Sequence, residues 1–225
     1  MKKQVYMEIY KSLTSREDIP SLSSKYGVEE DVLISILSQK TVRNVKKDYY
    51  PIMNRIQELV KLWDKGLSFH HISNTLAFSP ILIASMILKE KNYNKKDIKN
   101  FLNNPDSIED ERIRNEIKKA IEIDIAYSPE CAKIQRENGK KGEELLKFYL
   151  DQKEIQFLRE DDLRKLGSVK TPDFLLNKVI KIRGRRVFWF ESKASFCDYI
   201  EFKQDYNKQL KHYISLFGPG IVVYW

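Results

Sequence analysis

Apolar residues recur at helical spacing up to about residue 137, and the alternation typical of β-strands occurs only after that point. The helices predicted by this spacing cover 1–13, 20–39 (in two parts), 52–65, two segments on either side of 78–80, 108–123, and a segment that opens at 128–129 and runs to about 152. The first half of the chain is therefore predicted to be all-α.

Residues 20–39 have the spacing of a helix-turn-helix, with 29–39 as the second helix. Gly27 stands where a tight turn between two helices requires positive φ. A second, weaker unit of the same kind is indicated further on, where Ser79 is a good N-cap and Pro80 suits the first helical position. The all-α region is thus expected to hold two helix-turn-helix-like units.

Short segments rich in β-branched and aromatic residues follow, each bounded by turn signals. They predict strands over 155–160, 174–180, 186–194 and 221–225, with a helix over 199–217 before the last strand. From residue 139 the predicted order is helix, three strands, helix, strand. The chain is therefore predicted to be α+β, with an all-α region over 1–125 and a mixed domain over 126–225.

Composition narrows the class of protein. Hydrophobic residues make up 42% and charged residues 32%, which is enough apolar surface for a core and argues against a disordered chain. The net charge of +8 favours polyanionic partners. Cys131 and Cys197 are the only cysteines, which excludes a disulfide scaffold and a Cys-based zinc finger. With no apolar run of signal-peptide or membrane-span length, we expect an intracellular, cytoplasmic, DNA-associated protein.

The chemistry-bearing residues lie in the strand region, where Asp173 precedes one strand and Glu191 and Lys193 lie on the next. Side chains at i and i+2 of a strand share a face, so Glu191 and Lys193 are expected to point the same way. If the two strands form a hairpin with a turn centred near Ile182, the paired residue numbers sum to about 364, and Asp173 lies opposite Glu191. Arg183 and the glycine after it suit the turn.

Two facing carboxylates repel one another unless a cation lies between them. Mg²⁺ suits one or two carboxylates together with substrate phosphate, so Mg²⁺ or Mn²⁺ is the expected cofactor. Lys193 beside the ion could orient or deprotonate a water, or stabilise charge on the phosphate. The letters alone are a weak signal, since Glu116-Ile117-Lys118 has the same spacing in a helical context.

The order of elements and these residues resemble the PD-(D/E)XK nuclease superfamily. Thr171-Pro172-Asp173, the run Glu191-Ser192-Lys193-Ala194-Ser195-Phe196 and the C-terminal Phe217-Gly218-Pro219-Gly220 resemble its TPD-motif branch, which has helix-turn-helix units before the nuclease-like domain. The resemblance implies a restriction-endonuclease-like αβββαβ core and a metal-dependent deoxyribonuclease. Cys197 departs from the branch, where Gly is expected before Asp198.

The resemblance also implies roles for individual residues. It places Asp173, Glu191 and Ser192 at the metal ion and makes Lys193 the catalytic lysine. It adds a metal-binding Glu on the first core helix, for which Glu143 fits better and Glu144 remains open. Gln209 and Tyr213 match a QxxxY element on the helix after the active strand and are candidate catalytic residues.

Two groups of basic residues are candidate phosphate contacts. One is the predicted hairpin, with Lys178, Lys181, Arg183, Arg185 and Arg186, and the other follows the first helix-turn-helix, with Lys40, Arg43, Lys46 and Lys47. The second helix of that unit begins with acidic residues, which argues against sequence-specific reading of DNA. We therefore expect recognition of DNA structure, and possible protein docking through the N-terminal helices. The rival interpretation is a catalytically inactive nuclease fold that binds DNA or recruits a protein; the choice between endo- and exonuclease action, and between DNA and RNA, stays open.

Overall fold

A computed structural model describes all residues from 1 to 225. The chain divides into two compact units, Met1–Ile134 and Gln135–Trp225. The division falls inside one long helix, Pro129–Gln152, which begins in the first unit and continues in the second.

The first unit is entirely helical. Its helices are α1 (Lys3–Ser12), α2 (Ile19–Tyr26), α3 (Glu30–Met53), α4 (Ile56–Asp64), α5 (Phe69–Leu76), α6 (Pro80–Glu90), α7 (Lys95–Asn103) and α8 (Glu111–Ile123), followed by the start of α9 (Pro129–Gln152). Short 3-10 turns lie at Arg16–Asp18 and Pro105–Ser107. Sequence periodicity did not predict α7, although Asn94 and Asp97 form a capping box at its start.

The helix pair α2–α3 turns at Gly27, which adopts the left-handed conformation with φ of 61°. The second helix of this pair runs to Met53 and not to residue 39 as predicted. The reason is that buried apolar residues continue along one side of α3 as far as Val45 and Ile52, beyond the basic stretch. The cations of 40–47 therefore belong to the helix itself and not to a segment after it.

The pair α5–α6 has the predicted start signal. The side-chain oxygen of Ser79 accepts a hydrogen bond from the backbone N–H of Leu82 (3.3 Å), and Pro80 occupies the first helical position. No single helix is both long and apolar enough to cross a membrane; this bent pair passes that test by length and composition alone.

Asp124 is a buried polar centre of the first unit, with 1% of its surface exposed. Its Oδ2 accepts from the hydroxyl of Ser79 (2.6 Å). Its Oδ1 accepts from the backbone N–H groups of Ala126 (2.9 Å), Tyr127 (2.5 Å) and Ser128 (2.9 Å). One carboxylate thus ties the start of α6 to the loop before α9.

Replacing Asp124 with Ala should lower the free energy of unfolding by about 3 kcal/mol or more, because a charged acceptor is lost and buried donors are left unpaired. Urea unfolding of the full-length chain measures this change. Asp106→Ala is the matched control, since Asp106 is exposed and forms only a surface ion pair with Lys118. Equal shifts for the two variants would contradict the role of Asp124.

The second unit contains a four-stranded sheet in the order β1-β2-β3-β4. Its strands are β1 (Phe157–Arg159), β2 (Phe174–Ile182), β3 (Arg185–Lys193) and β4 (Ile221–Tyr224); its helices after α9 are α10 (Glu160–Lys165), α11 (Tyr199–Asp205) and α12 (Lys211–Phe217). β3 and β4 are parallel and the other pairs antiparallel. The α+β class and the N-terminal helical region are confirmed. The short helix α10, between β1 and β2, was not predicted.

The helix predicted over 199–217 contains a π-helical segment, Tyr206–Leu210, between α11 and α12. The sheet buries side chains on both faces. Leu146 and Leu150 of α9 pack with Phe174 and Phe190, and on the other face Tyr213 and its neighbours pack on Trp189. The sheet is therefore the middle of three layers.

The hairpin β2–β3 pairs Phe174 with Phe190 and Leu175 with Trp189, which is the register predicted for this end of the strands. Nearer the turn the register shifts, and Ile180 pairs with Val187. The turn is at Arg183 and Gly184, both with positive φ (48° and 76°), one to two residues beyond the predicted centre. The irregularity in β2 compensates for the displaced turn. Asp173 therefore lies beside Glu191 as predicted, although the turn is centred further along the chain than predicted.

Candidate active site

Asp173 and Glu191 lie side by side because each receives a backbone hydrogen bond from the other's strand. The N–H of Ser192 donates to Oδ2 of Asp173 (2.8 Å), and the N–H of Asp173 donates to Oε2 of Glu191 (3.3 Å). Glu191 is buried, with 2% of its surface exposed. The strand pairing thus holds a buried carboxylate, Glu191, beside a half-buried one, Asp173.

Burial raises the pKa of Glu191 to about 7, and the charge of Asp173 adds to that rise, although Lys193 opposes it. Burial also raises the pKa of Asp173, against the lowering effects of the Ser192 N–H and of Lys193. Both shifts show that the site has less positive charge than two ionised carboxylates require. A bound divalent cation would supply the missing charge.

The metal-free protein should lose stability as the pH rises from about 4.5 to about 7. Over this window the folded state keeps the proton on Glu191 that the unfolded state has released, so the free energy of unfolding falls with pH. Thermal unfolding in EDTA at pH values across the window measures the slope, and Glu191→Gln should flatten it. An identical slope in that variant would contradict the buried, proton-binding state of Glu191.

Lys193 contacts Glu191 directly and is linked to Tyr213 of α12 through Gln209. Its Nζ donates to Oε1 of Glu191 (2.8 Å) and to Oε1 of Gln209 (2.7 Å). The Gln209 amide in turn donates to Oε1 of Glu191 (2.9 Å) and to the hydroxyl of Tyr213 (2.6 Å), which donates to the carbonyl of Thr171 (2.6 Å). This network links the TPD tripeptide, the strand that carries Glu191 and Lys193, and the helical run that carries Gln209 and Tyr213. It holds the lysine in position.

Gln209 reaches the site from the π-helical segment, and Tyr213 follows four residues later. Tyr213 is 2% exposed and its ring meets Trp189 edge-on at 5.3 Å. Burial and the charge of Glu191 raise the pKa of Tyr213, so its hydroxyl stays protonated and keeps donating. Single-turn π segments of this kind are frequent at functional sites.

Of the two candidate glutamates on α9, Glu143 lines a cavity of about 360 Å³ that also contains Asp173, Arg159 and Glu160. Burial and the charge of Asp173 raise the pKa of Glu143. Glu144 does not line this cavity and instead pairs with Nη1 of Arg159 (3.0 Å). The geometry therefore favours Glu143 as the helix acid.

Glu143 is nevertheless turned toward Arg159, whose Nη2 lies 3.7 Å from its carboxylate. No group of three or more His, Cys, Asp or Glu side chains is arranged to hold a metal ion. The two facing carboxylates, Asp173 and Glu191, still suit Mg²⁺, which usually takes one or two carboxylates and keeps waters or substrate oxygens in its other positions. The donor set therefore fits a hard divalent cation.

Ser192 contributes to the site through its backbone. Its side chain points to the opposite face of β3 from Glu191 and Lys193, and its hydroxyl accepts a hydrogen bond from Nε1 of Trp225 (2.8 Å). A metal role for Ser192 is thus limited to its main chain. Close approach of Trp225 needs Gly142, where an added Cβ would lie 2.6 Å from the indole.

Sequence reasoning missed Arg159 and Glu160. Arg159 lies over the ring of Phe174 (5.7 Å from Cζ to the centroid) and pairs with both α9 glutamates. Glu160 accepts from the hydroxyl of Thr171 (3.1 Å). No spacing in the sequence points to Arg159. Glu160 could have been suspected only as an unknown partner of Thr171, and the fold is needed to show that the two residues meet.

The five basic residues of the β2–β3 hairpin are exposed, and the three arginines lie at the other end of the hairpin from the carboxylates. Arg183, Arg185 and Arg186 surround the turn, whereas Glu191 lies near the other end of β3. Five residues of strand from Arg186 to Glu191 correspond to about 17 Å. Because the strands are long, these cations are candidate contacts for a phosphate at some distance from the carboxylates.

The basic residues of α3 differ among themselves. Nζ of Lys40 donates to the carbonyls of Tyr10 (2.6 Å) and Leu13 (2.9 Å), and burial lowers the pKa of this lysine. Lys40 therefore joins α1 to α3 and is not presented to a ligand. Arg43 is half-buried, and Lys46 and Lys47 are exposed and remain available.

A family model described as "Protein of unknown function TPD sequence-motif" matches residues 109–225, just over half of the chain. The chain belongs to this TPD family. The match covers the second unit and both motif strands, so the TPD tripeptide of the family's name is the Thr171-Pro172-Asp173 that positions the first carboxylate.

Individual proteins similar to this TPD family member are also found. The chain is 30% identical over 244 residues to CDAN1-interacting nuclease 1 of Bos taurus and of Homo sapiens, covering 99% of this chain and 87% of each relative. The protein of the same name from Danio rerio is 34% identical over 161 residues, covering 68% of this chain and 54% of that one. No solved structure matches the chain.

Proposed function

We propose that this protein is a metal-dependent nuclease that hydrolyses DNA phosphodiester bonds. The observation that carries the proposal is the adjacent pair of Asp173, which is half-buried, and Glu191, which is buried, with the ammonium group of Lys193 at 2.8 Å from Glu191. Two adjacent carboxyl groups with raised pKa values, one of them buried, are unfavourable for folding alone, which supports a role in binding a cation. Relatives named as nucleases support the reaction class.

Asp173 and Glu191 would hold Mg²⁺ or Mn²⁺, with Glu143 as a further carboxylate once it leaves Arg159. The ion, when bound, supplies Lewis-acid polarisation of the phosphate and a lower pKa for a bound water. In the chain itself, the Ser192 N–H orients the carboxylate of Asp173, and the Asp173 N–H orients that of Glu191. These hydrogen bonds hold each carboxylate in a single side-chain conformation before the ion binds.

Lys193 is held against Glu191 by the Gln209–Tyr213 pair, so its ammonium group stays at the edge of the carboxylate cluster. There the ammonium group can orient the attacking water or stabilise charge on the phosphate. Gln209 and Tyr213 serve this lysine as positioning residues, since Tyr213 is anchored on the carbonyl of Thr171.

DNA as the substrate is supported by the net charge of +8 and by the exposed cations of the hairpin and of α3. We propose structured or branched DNA, because the helix-turn-helix has acidic residues where a reading helix approaches phosphate. A protein partner is supported by the names of the relatives, which are called CDAN1-interacting. The N-terminal helices are the proposed docking region for a partner of this chain.

The test is a cleavage assay on single-stranded, flapped, forked and four-way DNAs, with RNA counterparts, in Mg²⁺, Mn²⁺ or EDTA. Cleavage of one or more DNA substrates is expected with either ion and none in EDTA. The double variant Asp173→Asn/Glu191→Gln, purified in parallel, controls for contaminating nucleases. Activity that is equal in wild type and double variant would contradict the proposal and leave the inactive, partner-recruiting module as the better interpretation.

A further inference from the structure

Three aromatic side chains of the second unit stand exposed on one side of a single helical run. Tyr199, Phe202 and Tyr206 are 76%, 44% and 42% exposed, respectively. Their spacing of three and four residues places them on a common helix face. The rings of Phe202 and Tyr206 lie 6.2 Å apart with 30° between their planes. We call these three residues the α11 aromatic face.

The charges around this face are distributed unequally. Lys203, Lys208 and Lys211 are exposed along the same run. Of the carboxylates, Asp198 is buried and caps α11 through the N–H of Glu201 (2.8 Å), and Asp205 is half-buried and accepts from the hydroxyl of Tyr224 (2.9 Å). The Glu201 side chain is also half-buried. The charged side chains from Tyr199 to Lys211 that are exposed are therefore all cationic, which complements a polyanion.

The same helical run carries the α11 aromatic face into the candidate active site. Tyr206 begins the π-helical segment, and Gln209, three residues later in that segment, contacts both Lys193 and Glu191. A strand of nucleic acid lying along the exposed rings would thus follow the element that holds the catalytic lysine.

We propose that the α11 aromatic face is a stacking platform for single-stranded DNA entering the candidate active site. Unpaired bases can stack on exposed rings whatever their sequence, while the neighbouring lysines meet the phosphates. The bases of an intact duplex are already stacked on one another and cannot use the rings. The inference rests on the proposed nuclease function and adds the form of the substrate, a single-stranded segment or end.

Fluorescence anisotropy of the full-length protein in EDTA tests the platform without turnover. The probes are a labelled thymidine 20-mer and a labelled blunt-ended duplex without unpaired bases. Phe202→Ala/Tyr206→Ala should weaken binding of the single strand by about tenfold or more, since each stacked base contributes about 1–3 kcal/mol. Duplex binding should change by less than about twofold. Tyr199→Ala, at the most exposed ring, gives the same readout with the least risk to folding.

Two further variants separate stacking from other effects. Phe202→Tyr/Tyr206→Phe keeps both rings and should bind the single strand like wild type. Phe148→Ala/Tyr149→Ala removes two aromatic rings, 64% and 52% exposed, from α9 and should also leave binding unchanged. Together, the two variants distinguish the α11 aromatic face from exposed aromatic side chains elsewhere on the protein.

The proposal is overturned if wild type does not bind the 20-mer, if the alanine variants bind it like wild type, or if they lose single strand and duplex equally. A change of molar mass in the alanine variants by light scattering would identify the face as a contact between copies and would also overturn it. Failure of the nuclease proposal is distinguishable, because it shows as absent cleavage while the binding pattern persists.

Discussion

Exchange of Asp173 for Asn, or of Glu191 for Gln, should abolish DNA cleavage and weaken Mn²⁺ binding by about a hundredfold or more. Loss of a hydrogen-bond partner to a ligand alone costs about 10–100-fold in metal affinity, and loss of a ligand charge should cost more. Stability should be unchanged or higher in the metal-free variants, because each exchange removes one of two adjacent carboxylate charges and keeps the hydrogen-bond acceptor. Isothermal titration with Mn²⁺ and thermal unfolding measure the two effects.

Glu144→Gln is the matched control for these variants. Glu144 is on the same unit and also pairs with Arg159, but it does not line the cavity beside Asp173. Its metal affinity and cleavage rate should stay close to those of wild type. Unchanged Mn²⁺ affinity in both Asp173→Asn and Glu191→Gln would show that the carboxylate pair is not the metal site.

Exchange of Lys193 for Met should leave Mn²⁺ binding intact and lower the cleavage rate on the order of a hundredfold or more. A cation is not a metal ligand, so its removal spares the ion; loss of one positioned acid–base or charge-stabilising group accounts for the rate. The lysine contacts Glu191 and Gln209 directly, and its removal also leaves Gln209 without one partner. Single-turnover cleavage at saturating Mn²⁺, paired with titration, separates chemistry from binding.

Lys153→Met, which removes an exposed lysine after the end of α9, is the control for the change in net charge. It should cleave like wild type. Gln209→Ala is expected to fall between the two, because Lys193 keeps its contact with Glu191 but loses the second anchor. A Lys193→Met variant that turns over at the wild-type rate would exclude the lysine from catalysis.

Much of the second unit was predictable because its signals are local. Strand alternation located β2 and β3, and the i, i+2 rule put Glu191 and Lys193 on one face, where a 2.8 Å contact now joins them. The pairing of Asp173 with Glu191 was predicted from an approximate turn position. It holds because a register shift in β2 makes up for the displaced turn, which no local pattern indicates.

Residues whose role depends on distant partners were not predictable in the same way. Lys40 carries the same charge as Lys46 in the sequence, yet the carbonyls of Tyr10 and Leu13 engage only the former. Arg159 has no motif, and it reaches the site because β1 pairs beside β2 and places it over Phe174. The basic hairpin turned out to be distant from the carboxylates because strand length, not sequence proximity, sets the separation.

The sequence by itself determined the all-α first half, the α+β second half and the pair of carboxylates with its lysine, because helical and strand periodicity and side-chain alternation act over a few residues. Tertiary structure alone decided how those groups are charged and held. Burial raises the pKa of Glu191 to about 7, and the Gln209–Tyr213 network fixes Lys193. Desolvation and long-range hydrogen bonds depend on which segments meet in space, and that information is not contained in the spacing of residues along the chain.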